Sequence, residues 1–132
     1  MKQKRAAVLR ELDGYIEKWR GILHLEDWRI KKFIVRKEHV DGPEITAQVT
    51  TDSPYMLCSL EVFPSIFERT RSEREHMVVH ELCHCIVNRL DELMRRLQGG
   101  HIVTDKERID ALENVNQKLT GILIGLVGDR RR

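Results

Sequence analysis

His80, Glu81 and His84 fall in the order His-Glu-x-x-His, a spacing that lets three side chains act together on one helix. Residues four apart stand one turn above each other, so both imidazoles can reach a single metal ion. The glutamate follows the first histidine and projects beside that ion, where it can take a proton from water the ion has acidified. Residue types in that pattern make a hydrolytic zinc site.

A catalytic zinc takes three protein ligands and leaves its fourth position to water. The longer pattern HExxHxxGxxH is absent, since Val87 and Asp91 occupy the two later positions. The third ligand is therefore expected from another element, and a last helix folding back antiparallel is the natural source. Its apolar stripe reads Ile109, Leu112, Val115, Leu119, Ile122, Leu123 and Leu126, and Glu113 flanks it. At 1.5 Å per residue Glu113 lies about 12 Å into that helix, opposite the later turns of the motif helix. Glu113 is the expected ligand; His101, Asp91, Glu92 and His76 are the rivals. Glu107 points away from the stripe and suits a helix cap.

Placing these groups requires two helices and a scaffold. On a wheel of about 100° per residue, His80 and His84 share a face. Val79, Leu82, Cys83, Ile86 and Leu90 form the expected buried stripe to one side, so the histidines border the core. Ser72-Glu73-Arg74-Glu75 has the form of a capping box that opens the motif helix, with Ser72 as N-cap. Thr104-Asp105-Lys106-Glu107 opens the last helix in the same way and is expected to carry it to near Gly128. Upstream, Val8, Leu9, Leu12, Ile16, Trp19 and Leu23 recur at helical spacing over residues 4–23. Three strands follow, over 28–35, 45–51 and 56–63, separated by Asp41-Gly42-Pro43 and Asp52-Ser53-Pro54. The connections predict a mainly antiparallel meander. The fold class is thus α+β, one domain over residues 1–132: helix, three strands, HExxH helix, C-terminal helix.

Composition agrees with a globular domain: 41% of the 132 residues are hydrophobic and 33% charged. A net charge of +2 makes no case for nucleic-acid binding, and the basic ends read as solvated tails. No signal peptide is read after Met1, and the apolar run 121–127 is too short to span a bilayer. Three cysteines, Cys58, Cys83 and Cys85, suit a reducing compartment, with Cys58 and Cys83 as small buried residues. A cytoplasmic setting without nucleic-acid or membrane partners is the expectation. Cys83 and Cys85, two apart on a helix, cannot jointly hold a metal.

A helix, a three-stranded unit beginning near Trp28-Arg29-Ile30, and then Val78-Val79-His80-Glu81-Leu82-Cys83-His84 resembles the minimal zincin-type metallopeptidases, many of them small phage, prophage or bacterial proteins. The run from Glu113 to Thr120 looks like the glutamate-bearing helix of the gluzincin branch. The resemblance covers about Trp28 to Leu126, and HExxH is its specific part. It implies a zinc metallopeptidase with His80, His84 and Glu113 as ligands and Glu81 as general base toward a peptide or protein substrate. Tyr55 and His101 are candidates for steadying the oxyanion, and an edge of the meander, the third strand, is the expected substrate rail. The alternative is a non-catalytic module whose zinc stabilises a protein-binding surface, in which case a side chain such as His101 closes the fourth position.

Overall fold

The computed structural model describes residues 2–130; Arg131 and Arg132 of the basic C-terminal run lie outside them. The elements are α1 (Lys2–Ile22), β1 (Arg29–Ile34), β2 (Ala47–Asp52), β3 (Leu57–Val62), a short 3-10 turn (Pro64–Glu68), α2 (Arg71–Gln98) and α3 (Asp105–Arg130). The fold is α+β, with three helices and a small mixed sheet.

The meander expectation holds only for β2 and β3. They pair antiparallel, Ala47 opposite Val62 and Asp52 opposite Leu57. β1 instead pairs parallel with β3, Arg29 opposite Leu57, and the sheet order is β1-β3-β2. Burial explains the order. Cys58, Leu60 and Val62 of β3 are completely buried, which suits a central strand. Arg29, Lys31 and Lys32 of β1 and Gln48, Thr50 and Thr51 of β2 suit edges, where polar side chains discourage further pairing. The 12 residues 35–46 between β1 and β2 are enough to arch over the end of β3. There Val35 N donates to Val62 O and Phe63 N to Thr46 O, both at 2.9 Å.

α1 and α2 cover the sheet. Val8, Leu12 and Ile16 give α1 an i, i+4, i+8 buried ridge, and α2 contributes Met77, Val78, Leu82, Cys85 and Ile86. The cap of α2 lies two residues before the expected one. Thr70 is the N-cap: its hydroxyl accepts from Glu73 N at 3.2 Å, and Thr70 N donates to Glu73 Oε1 at 2.9 Å. Thr70-Arg71-Ser72-Glu73 satisfies the same rule as the frame at Ser72, and Glu75 is engaged elsewhere. It accepts from Trp19 Nε1 at 2.9 Å and from Lys18 Nζ at 3.1 Å, which ties α1 to α2. The second capping box, Thr104 with Glu107, forms as the sequence indicates.

The buried stripe of α2 is also turned from expectation. Arg74, Met77, Val78, Glu81, Leu82, Cys85, Ile86 and Asn88 are buried, whereas Val79, Cys83 and Leu90 are half-buried. A helix set between a sheet and another helix carries apolar residues toward both. A wheel that averages them misplaces the dominant face.

A near-interior ion pair fastens the first turns of α2 to α1. Glu11 accepts from Arg74 and, at 2.8 Å, from Arg71; the Arg74 and Glu11 side chains are 10% and 12% exposed. Hydrogen bonding from Arg74, with Arg71 assisting, holds the Glu11 carboxyl below its usual range despite opposition from burial. Its stabilisation is therefore present above the ordinary carboxylate range and is lost as pH falls through the depressed value. Glu11→Gln is expected to cost about 1–3 kcal/mol at neutral pH, tempered by solvent at the helix edge. Urea melts at neutral and strongly acid pH check this: the gap from wild type narrows as the acid limit is approached.

Candidate metal centre

The motif lies in the middle of α2, where the helix passes the free edge of the sheet. His80 and His84 are exposed, and their ring centroids stand 5.4 Å apart with planes at 82°. Glu81 points between them and the core. It is 8% exposed, and its Oε2 is 4.0 Å from His84 Nε2. One ligand atom from each of the three lies within 4.8 Å of the others, so the group can hold a metal ion. Two imidazoles and a carboxylate make an N2O set open on its histidine side, a donor chemistry that fits zinc and other divalent ions alike.

Burial raises the Glu81 carboxyl above its ordinary value, and the neighbouring His84 and His80 oppose that shift. The buried Cys58 of β3 and Cys85 of α2 are close neighbours, and the interaction with Cys58, reinforced by burial, pushes the Cys85 thiol up. Sequence reasoning named Cys58 and Cys83 as the buried pair, but Cys85 takes the interior place and Cys83 is half-buried.

Two grooves meet at the motif. One, of about 650 Å3, runs between the start of β2 and the first turns of α2, lined by Glu44, Ala47, Glu73, His76, His80 and Glu81 among others. The second, of about 620 Å3, continues along Val49–Thr51 past His84, Val87, Leu90 and Met94. β2 therefore forms the wall facing the helix across both. β3, the expected rail for substrate, is the central strand with both edges paired and has no free edge to offer; beside the motif the free edge belongs to β2. Behind the second groove, Asn88 Nδ2 donates to Thr51 Oγ1 and ties α2 to β2. The buried Asn88 Oδ1 has no hydrogen-bond partner among the described residues. Asn88 was not singled out in the sequence. Its i+4 spacing from His84, beside an apolar face, was the available signal.

The structure does not bring Glu113 to the histidines. α3 seats Ala111, Val115 and Ile122 against the body, and Lys118 latches it by donating to His24 O, with Asp27 Oδ1 3.5 Å away. Glu113 lies two residues from both Ala111 and Val115, about 160–200° around the helix from that seam. It is exposed there and is not part of the metal-binding group. Among the rivals, Asp91, Glu92 and His101 line a third groove, of about 490 Å3, beside the β2–β3 turn, and Asp91 also borders the second groove with His84 without joining the group. Asp91 pairs with Arg95 at 3.0 Å. His76 shares the first groove with His80 without joining the group. Glu107 caps α3 and pairs with Arg96, and Tyr55 is exposed in the β2–β3 turn. No protein side chain among the described residues adds a fourth ligand atom to the group. No helix among them is long and apolar enough to cross a membrane. Compared with known proteins, the chain matches no protein-family model, no curated protein and no solved structure.

Proposed function

We propose that the protein is a zinc-dependent peptidase in which His80 and His84 hold the ion and Glu81 is the general base. A divalent ion there would acidify water and polarise a scissile carbonyl. The observation that carries the reading is the division of environments within one helical turn. His80 and His84 line adjoining grooves, and the carboxylate beside them is buried and held above its ordinary pKa by that burial, the direction that favours proton acceptance. Glu81 takes a proton from water on its groove side and later returns it to the leaving amine.

Substrate class follows from the walls. β2 is an edge strand whose unpaired backbone groups border both grooves, so an extended peptide can add to the sheet and cross the histidines. We give Glu113 no ligand role. The third protein position is left to solvent and substrate, and a single substitution at Glu81 separates this arrangement from one in which Glu81 itself ligates.

The test is metal removal. Purified protein is expected to carry a divalent ion, to cleave an unstructured protein such as casein, to lose that activity on dialysis against a chelator, and to regain it with zinc. Chain that binds no ion at the motif, or cleaves equally well after chelation, would overturn the reading.

A further inference from the structure

The face of α3 turned away from the body has a regularity that intramolecular packing does not use. Ile109, Leu112, Asn116, Leu119, Leu123 and Leu126 follow one another at alternating steps of three and four residues, the a/d spacing of a coiled coil. All are exposed, the five apolar ones between 39% and 61%, along about 26 Å of helix. The seam against α1 and α2 is a separate one, built from Ala111, Val115 and Ile122 roughly 90° away. α3 thus has two apolar faces, and one is uncovered. Single exposed leucines are ordinary; a row in heptad register is not.

We propose that this face pairs with the same face of a second copy of the chain, in a parallel two-stranded coiled coil. Three features select that occupant. First, all d positions are leucine (Leu112, Leu119, Leu126), and the a positions are Ile109, Asn116 and Leu123, a composition that favours two strands. Second, a lone Asn at an a position fixes register when it meets its own counterpart, because the two amides satisfy each other. In an antiparallel pair, a positions meet d positions, so Asn116 would be buried against leucine with its amide unpaired. Third, Arg108 occupies g and Glu113 the e position five residues on. Parallel pairing sets each Arg108 beside Glu113 of the other copy, twice per dimer. Among the described residues of the monomer Arg108 has only Asp105, at 3.9 Å, and both are largely exposed.

The seam spans fewer than three heptads, too short for an isolated peptide to pair strongly. Here α3 is already helical and held by Lys118 and its inner seam, so pairing does not have to order it. A two-fold axis along the seam carries the two bodies to opposite sides, since each sits well off the line joining the helices. Glu113, outside the metal-binding group, thereby gains a place in the molecule. The inference is independent of the metal reading.

Sedimentation equilibrium on the full chain tests it. Wild type is expected to be a dimer that dissociates on dilution. Leu119→Glu is expected to weaken it by roughly a hundredfold or more, with helix content unchanged because the side chain is exposed in the monomer. Arg108→Glu and Glu113→Arg are each expected to weaken pairing several-fold, and the double variant to recover it. Asn116→Cys is expected to cross-link into a covalent dimer on oxidation while wild type does not. A wild type that stays monomeric at high concentration overturns the proposal and leaves the face to another occupant. So does a dimer indifferent to Leu119→Glu, or charge variants whose combination fails to recover. A dimer that persists while Asn116→Cys fails to cross-link overturns the parallel arrangement.

Discussion

Glu81→Gln is expected to lower peptide hydrolysis by about a hundredfold to ten-thousandfold, the range for loss of a positioned general base, with metal content unchanged. Glutamine keeps the shape and cannot accept the proton, so the substitution isolates base chemistry from packing. Turnover and metal stoichiometry measured on one preparation separate the two roles open to this carboxylate. If Glu81 ligates directly, the ion is lost with the activity; if it acts as base, only the activity goes. Retention of both would refute the assigned role. A second readout comes from its shifted pKa. A carboxyl raised in the folded state stabilises the metal-free fold below the ordinary carboxylate range, and that contribution disappears as pH rises through the folded value. Melting curves of chelator-treated protein should therefore show wild type losing ground to Glu81→Gln as acid solution is brought toward neutral.

His84→Ala has the second large effect, on affinity. Removing an outer-shell partner of a metal ligand typically costs about 10–100-fold, and loss of one of only two imidazoles is expected to exceed that. Equilibrium dialysis with zinc measures it. Thermal stability should hardly move, because the His84 side chain is 51% exposed and the residues beneath it, Leu82, Cys85 and Ile86, are buried without help from an ion. That contrast tests the rival interpretation as well. Were zinc the staple of a binding surface, His84→Ala and chelation would both lower the melting temperature substantially.

Much of this is legible in the sequence. The helices, the three strands and the Thr104 cap follow from local rules, and local rules are what a sequence states directly. HExxH at helical spacing brought His80 and His84 to one face, as i, i+4 geometry requires. What was hidden depended on competition between distant segments. Nothing in residues 29–34 says that they pair with 57–62 and not with 47–52; that follows from which strand is apolar enough to lie in the middle. Two overlapping capping frames, at Thr70 and Ser72, are equal until Trp19 and Lys18 claim Glu75. The misplacement of Glu113 has the same origin. The apolar stripe of seven residues on α3 suggests one buried face, whereas it comprises two, one seated on the body and one exposed. Burial of Glu81 was likewise invisible on a wheel weighted by apolar residues, because the wheel has no sheet in it.

The parallel attachment of β1 bears on how the molecule assembles. Joining β2 to β3 closes a gap of four residues, whereas docking β1 on β3 closes 22, residues 35–56. Chain-closure entropy makes the longer step costlier by about 1.5 kcal/mol. The hairpin and the helix that follows it are thus the earlier partners on the route to the native state, and the amino-terminal third arrives on a frame already in place. Both walls of the cleft belong to that early frame, so the cleft takes shape while the first strand is still undocked.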